Sequence, residues 1–432
     1  MAQAQRSDST ASSYHAATTN YPALSMVTTL FFMWGFLTSL NDILIPHLKS
    51  IFDLNYTKVM LVQFAFFASY FVFSLPSGKL IDVVGYKNSM VAGLFAMGAG
   101  ALLFIPAASA PSFPLFLTAL IVLAAGMTIL QVSANPYVAV LGPEKTAASR
   151  LNLAQAFNSL GTTIGPPLGG LLILSTVPLA ADVLHRMTPQ ALHAYRVAQA
   201  SSIKVPYLVF ALTLIALGVA IALFKLPHIP GVERNGAPVN DSIWRHRHLV
   251  LGAIAIFVYV GAEVAIGSFL INYLSLSDIG SITEAVAAEY VAFYWGGAMV
   301  GRFIGSGLQQ FIAPNKILGV CAVMAGLLVC ATMLTFGHVA MWTVLAVGLF
   351  NSIMFPTIFT LSIEGLGPLT GDGSGLLVAA IVGGAIIPEL QGAIADRIGI
   401  HHAFFIPVLC YVYIAFFAFR GYRHPPPAPA SF

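Results

Sequence analysis

Apolar runs long enough to cross a bilayer recur twelve times along this chain, separated by short stretches rich in Gly, Pro and charge. Such a run can enter lipid as a helix, because every backbone N–H and C=O then finds its partner within the segment. The first, Tyr21 to Leu48, reads YPALSMVTTLFFMWGFLTSLNDILIPHL and exceeds the ~20 residues that span ~30 Å of hydrocarbon. Only 8% of the 432 residues are charged and 58% are hydrophobic, with mean hydropathy +0.86. A soluble domain carries about 25% charged residues, so this chain has too little polar surface to face water throughout.

The expected fold class is an all-α membrane protein: twelve transmembrane helices in two six-helix bundles. The helices are predicted near 22–47, 57–77, 88–107, 113–140, 149–175, 205–225, 248–274, 287–310, 315–336, 339–363, 374–395 and 402–420. The polar stretch KLPHIPGVERNGAPVNDSIWRHRH, 225–248, divides them six and six. The divisions expected are a disordered cytoplasmic tail 1–21, a first bundle 22–226, a cytoplasmic linker 227–247, a second bundle 248–421 and a tail 422–432.

With both termini in the cytoplasm, thirteen of the nineteen Lys and Arg fall on inside segments, Arg302 counted among them, and six on outside loops. That bias fits the positive-inside rule. The outside loop 176–204, with three basic residues, is the exception and reads as a partly helical excursion. The first twenty residues lack the basic stretch and short apolar core of a signal peptide. Prolines bar helix from the ending RGYRHPPPAPASF. A net charge of +3 gives no case for nucleic acid. Cys321, Cys330 and Cys410 lie in apolar runs without CxxC spacing and read as inert buried thiols. The chain has no HExxH, GxSxG, P-loop or paired Cys/His spacing, so neither an enzyme nor a nucleotide-driven pump is expected, and no cofactor or metal.

The halves show faint self-similarity. A shift of 222 places Gly161, Pro166 and Gly170 on Gly383, Pro388 and Gly392. A shift of 226 places Gly35, Leu44, Ile45 and Leu48 on Gly261, Leu270, Ile271 and Leu274. Two bundles around a midplane site are the expected product of such duplication.

Polar residues inside the spans carry the functional signal. Asp42, beside Asn41, is an acid at membrane depth, where a charge costs ~2.5–3.5 kcal/mol on the insertion scale. Trp34, Thr38, Asn41 and Asp42 share one helical face. Thr128, Gln131 and Asn135 form a second stripe, and Asn152, Gln155, Asn158 and Thr162 a third. A single amide in a span commonly glues helices together, at ~0.6 kcal/mol. Three amide-bearing stripes in one half point instead to a lined cavity, and Asn and Gln offer both donor and acceptor to sugar hydroxyls. Trp34, Tyr137 or Phe157 are candidates to stack on a pyranose. The second half contributes Glu263, one turn beyond Tyr259, and Asn351. Glu389 reads as a rim or structural acid. The loop GKLIDVVGYK, with Gly78, Asp82, Gly85 and Lys87, has the spacing of a cytoplasmic gate motif, in which an acid accepts from a helix N-terminus across a closed interface.

LNDILIPHL (40–48), LQVSANPYVAVLGPE (130–144), RLNLAQAFNSLGTTIGPPLG (150–169) and FPTIFTLSIEGLG (355–367) resemble the fucose:proton symporter family of the major facilitator superfamily, and within it the bacterial glucose/galactose permeases. The resemblance covers residues 22 to 420 and implies cation-coupled sugar uptake across the bacterial inner membrane by a monomer. It carries Asp42 over as the carboxylate that links protonation to sugar binding, and matches Gln155 and Asn158 to the sugar-facing motif of helix 5. The family's second carboxylate, in helix 4, is replaced here by Gln131, which cannot titrate. Glu263 stands where the fucose permease has a neutral amide, and Val83 stands where arginine usually follows the gate aspartate.

The expected mechanism is alternating access around a central site. A partly desolvated Asp42 favours its protonated form, and Gln131, Asn135, Gln155 and Asn158 hold a hexose such as glucose or galactose. Sodium, held by Asp42 with Asn41 or Gln131, is the alternative coupling ion, and fucose and N-acetylglucosamine are alternative sugars. A multidrug:proton antiporter or a sugar sensor would share the architecture.

Overall fold

The computed structural model describes residues 18–52, 56–109, 112–173, 186–201, 203–229 and 241–423, with side chains except at 40–52, 56–63, 168–173, 193, 196, 199 and 200. Residues 1–17 of the expected tail 1–21, most of the linker 227–247 and residues 424–432 of the expected tail 422–432 lie outside the described residues.

The first crossing, α1, is Tyr21–Phe52. The run Tyr56–Ser109 holds α2 (56–84) and α3 (86–109), separated at Gly85, whose φ of 78° reverses the chain as only glycine readily does. Then follow α4 (Phe113–Val140), α5 (Ala147–Ile173) and α6 (Lys204–Leu223). A short helix, Pro189–Ser201, lies between the last two, within the loop expected to be partly helical. The second half has α7 (Arg247–Leu274), α8 (Glu284–Leu308), α9 (Pro314–Leu334), α10 (Gly337–Ile363), α11 (Gly367–Ile398) and α12 (Ile400–Gly421). Nine stretches among the described residues are long and apolar enough to cross a membrane. One of these, Phe64–Ser109, contains two crossings, and α5 and α8, of 27 and 25 residues, complete twelve.

Glycines set the helix pairs. A Cβ on Gly35 of α1 would lie 2.0 Å from the Asn158 carbonyl of α5, and one on Gly161 would lie 2.3 Å from the Phe32 carbonyl. In the second half a Cβ on Gly383 of α11 would lie 2.0 Å from the Phe257 carbonyl of α7, and one on Gly261 would meet Ile387 at 2.3 Å. The glycines matched by the sequence shifts therefore do the same work in each half: they let the first and fifth helices of a bundle touch backbone to backbone, as small residues do in membranes.

Two helices are broken where they cross the middle. In α10 the helix stops at Asn351 and resumes at Met354. Pro356 explains this: it has no N–H for the Ser352 carbonyl one turn earlier, and its ring crowds that carbonyl. In α11 a tight turn at Ala380–Val382 precedes Gly383 and Gly384.

The two bundles meet along one end of the molecule. Ser149 of α5 donates to the Ser306 carbonyl of α8 at 2.7 Å, and Ser306 donates back to the Ser149 carbonyl at 3.0 Å. Asn152 donates to Gln309, which donates to Thr357 of α10 at 2.7 Å. Beside them α2 meets α11 through glycine: a Cβ on Gly78 would lie 2.8 Å from the Gly371 carbonyl, and one on Gly375 would lie 2.9 Å from the Ser74 carbonyl. Ser374 closes the seam by donating to the Val132 carbonyl of α4 at 2.7 Å. This end, where α4 finishes and α5 begins, is sealed.

Candidate functional site

Each bundle presents a polar cluster where its helices approach this seam. In the first half, Gln131 donates to the Tyr70 hydroxyl of α2 at 2.8 Å. One turn along α4, Asn135 lies 3.5 Å from the Gln155 amide of α5, at the limit of a hydrogen bond. The Gln131 carbonyl oxygen and the Asn135 amide nitrogen are buried and have no partner among the described residues. Such atoms are normally satisfied, so the pair retains an acceptor and a donor for a polar guest.

Other members of the predicted stripes are used within the fold. Thr38 and Thr128 donate back to carbonyls of their own helices, Trp34 and Ala124, at 2.9 and 2.8 Å. Asn158 donates to the Phe31 carbonyl of α1 at 2.9 Å, where Gly35 lets the helices close, and it stays half-buried. Tyr137 donates to the Pro227 carbonyl at 2.9 Å and is buried. Phe157 is exposed and packs edge-on to Phe303 of α8. Asn41 and Asp42 lie on α1, but their side chains fall outside the described residues.

In the second half the cluster forms around Glu263. Tyr259, one turn before it on α7, donates to Glu263 Oε1 at 2.7 Å, and its hydroxyl lies 3.1 Å from the Asn351 backbone carbonyl. The Asn351 amide donates to Tyr294 at 2.9 Å and accepts from Tyr411 at 2.8 Å, so both its ends are held by phenols. Tyr294 in turn donates to the Glu263 carbonyl at 3.3 Å. Asn351 therefore braces the tyrosines that surround the acid.

Arg302 completes this cluster, and sequence reasoning missed it. Counted with the inside segments although it falls in the predicted span 287–310, it lies within α8, with its guanidinium Nη2 3.9 Å from Glu263 Oε1. Its Nε donates at 3.0 Å to the Ser352 carbonyl, the acceptor that Pro356 cannot serve. Its Nη1 donates to Ser159 of α5, in the other bundle. One side chain thus joins the acid, the break in α10 and the amide-bearing face of α5. The available signal was Glu263 itself, since an acid at this depth needs a counter-charge on a neighbouring helix.

The loop motif sits at the sealed end. The Asp82 carboxylate reaches the first turn of the α11 segment Thr370–Ala379, 3.4 Å from where a Gly371 Cβ would be. Negative charge is favoured there by the helix dipole. Lys87 remains within the first bundle and donates to the Ala222 carbonyl at the end of α6 at 2.8 Å. Glu389 lies on α11, between the break and Ile398.

Comparison with known proteins agrees with this architecture. The model of the Major Facilitator Superfamily matches residues 26–381. The chain is 54% identical over 400 residues to a glucose/galactose transporter of Brucella abortus, covering 92% of this chain and 94% of that one. It is 37% identical to the L-fucose-proton symporter of Escherichia coli, covering 91% and 92%. A solved major facilitator transporter, FucP, in the outward conformation superposes with TM-score 0.85 at 36% identity, covering 91% of this chain and 97% of that one.

Proposed function

The chain belongs to the major facilitator superfamily, and on that premise we propose that it is a sugar:proton symporter that carries a hexose such as glucose or galactose into the cell. It is a multi-pass membrane transporter and not an enzyme, and its family's sugar symport needs no cofactor beyond the coupling ion. The observation that carries the reading is the meeting of two unlike clusters: an amide face on α4 and α5, and a Glu263–Arg302 pair that reaches α5 through Ser159. Amides suit hydroxyls, and a titratable acid suits a proton. The relatives' names agree with sugar as the cargo.

In this reading both termini are cytoplasmic, the membrane is the bacterial inner membrane, the transporter works as a monomer, and the sealed end is the inner gate. Gly78 and Gly85 shape that gate, Asp82 fastens it on the α11 helix end, and Lys87 fixes it to its own bundle. The sugar enters from the opposite side and binds Gln131, Asn135 and Gln155, with Trp34, Thr38, Asn41 and Asn158 on the helices that flank them. Asp42 takes the proton and becomes a neutral donor that tolerates occlusion. Glu263 is the second acid, and Arg302 is the counter-charge that permits it to remain ionised when the site is empty. Asn351 holds the tyrosines around it. Sodium, bound by Asp42 with Asn41 or Gln131 oxygens, is the competing coupling ion.

Proteoliposomes test the proposal. An inward pH gradient should drive accumulation of labelled glucose or galactose, and a sodium gradient at equal pH should not. Fucose and N-acetylglucosamine should compete weakly. Accumulation driven by sodium alone would remove the proton from the scheme, and flux without preference among these sugars would remove the hexose assignment.

A further inference from the structure

A cavity of about 720 Å³ opens between the start of α7 and the end of α12, at the sealed end of the molecule and away from the transport site. It is lined by Arg247, Arg420 and Arg423 together with Leu251, Phe416 and Phe419. The lining contains three guanidinium groups and no acid. All three arginines are exposed and take part in no ion pair among the described residues. The acid closest along the chain, Asp241, is engaged by His246 at 2.9 Å and by the Ser242 N–H.

The local fold builds this arrangement. The last turn of α12, Phe417–Gly421, is a π-helix closed by the Tyr422 N–H on the Phe417 carbonyl at 3.0 Å. The wider turn groups Arg420 and Arg423 with Phe416 and Phe419 on the face that looks toward α7. Tyr413 fixes the two helices below the cavity by donating to the Leu251 carbonyl at 3.2 Å. Phe416 and Phe419 are exposed on the membrane-spanning part, whereas the arginines stand at its end. Trp244, 65% exposed, precedes Arg247 by three residues, in keeping with the aromatic belt at a membrane–water boundary.

We propose that this cavity is a binding site for the headgroup of an anionic phospholipid, with phosphate held by Arg247, Arg420 and Arg423 and the acyl chains lying along Phe416 and Phe419. Arginine forks suit phosphate oxygens, and basic pockets between transmembrane helices take such headgroups. The phosphate chemistry alone would equally suit a soluble phosphate ester. The apolar wall continuous with the lipid-facing surface favours the lipid.

The test uses the full-length protein in detergent and reads lipid retention by native mass spectrometry. Phosphatidylglycerol, phosphatidylcholine and soluble glycerol phosphate are offered in turn. Phosphatidylglycerol should be retained and phosphatidylcholine should not. The triple variant Arg247→Gln, Arg420→Gln, Arg423→Gln should lose on the order of a hundredfold in affinity, about fivefold per charge. Lysine at the same three positions should restore most of the binding, and Lys316→Gln, outside the cavity, should leave it unchanged. A monodisperse elution profile and retained binding of sugar show that the triple variant is folded. Equal retention by the triple variant and the parent, or equal retention of both lipids, would overturn the proposal. Displacement of phosphatidylglycerol by millimolar glycerol phosphate would overturn its lipid half and leave a soluble anion as the occupant.

Discussion

Arg302 sets the energetics of the second bundle's polar cluster. Removing one member of a buried ion pair leaves an uncompensated charge and costs ~3–5 kcal/mol, whereas removing both is often close to neutral. Glu263→Gln and Arg302→Gln should therefore each lower the melting temperature of the purified transporter and its uptake. The double variant should recover most of the lost stability but not proton-driven uptake. Stability losses that simply add would show that the 3.9 Å approach carries no coupling. The carboxylate of α1 makes a separate prediction. Asp42→Asn should retain sugar exchange across the membrane while losing accumulation against a gradient, because the amide is fixed in the neutral form. Measuring both fluxes in one preparation checks this, and unimpaired accumulation would take Asp42 out of the coupling step. These residues also show the reach and limit of sequence reading. Acids in apolar runs are conspicuous because their cost is intrinsic. Asn158 and Gln131 look alike in sequence, yet one bonds a backbone carbonyl across a helix pair and the other retains a free acceptor. That difference depends on what lies opposite, which helical periodicity does not contain. Arg302 falls inside the predicted span 287–310, but the sequence does not show that its partners, Glu263 and Ser352, sit on the helices packed against it.

At the scale of elements, span number and the six-and-six division were legible because each helix must be apolar for its full length. The breaks were less so. The break in α10 was not read from the sequence, and the Ser352 carbonyl that Pro356 leaves free is taken over by Arg302 of another helix, which arises only from packing. The repeated glycines were legible as a weak pattern and acquire force from distance. A Cβ at Gly161 would come within 2.3 Å of the Phe32 carbonyl, a backbone atom that cannot rotate away. Gly161→Val should therefore separate α1 from α5 at a cost of ~1–3 kcal/mol or more, seen as a lower melting temperature. Gly307→Val makes a matched control, since nothing lies within 4 Å of its added Cβ. Equal effects from the two would mean that the α1–α5 contact is not what the glycine serves.

The whole molecule is held shut at one end by contacts individually weak and easily remade: reciprocal serine bonds, an amide chain and glycine contacts across α2 and α11. Interhelical hydrogen bonds in membranes average ~0.6 kcal/mol, so a seam of this kind can open without a large barrier. The Arg302 bond to Ser159 lies at the upper edge of the seam. There it joins the Glu263 ion pair of the second bundle to α5 of the first. Rocking of the two bundles requires the seam to part in every cycle. Ser149 Oγ and Ser306 Oγ are 3.5 Å apart, close enough for a cysteine pair to bridge once Cys321, Cys330 and Cys410 are replaced by serine. Oxidation of the Ser149→Cys, Ser306→Cys protein should abolish uptake in proteoliposomes while sugar still binds from the open side, and a reductant should restore transport. Full uptake by the completely cross-linked protein would mean that sugar leaves by a route that never separates α5 from α8, and alternation of the two bundles would have to be abandoned.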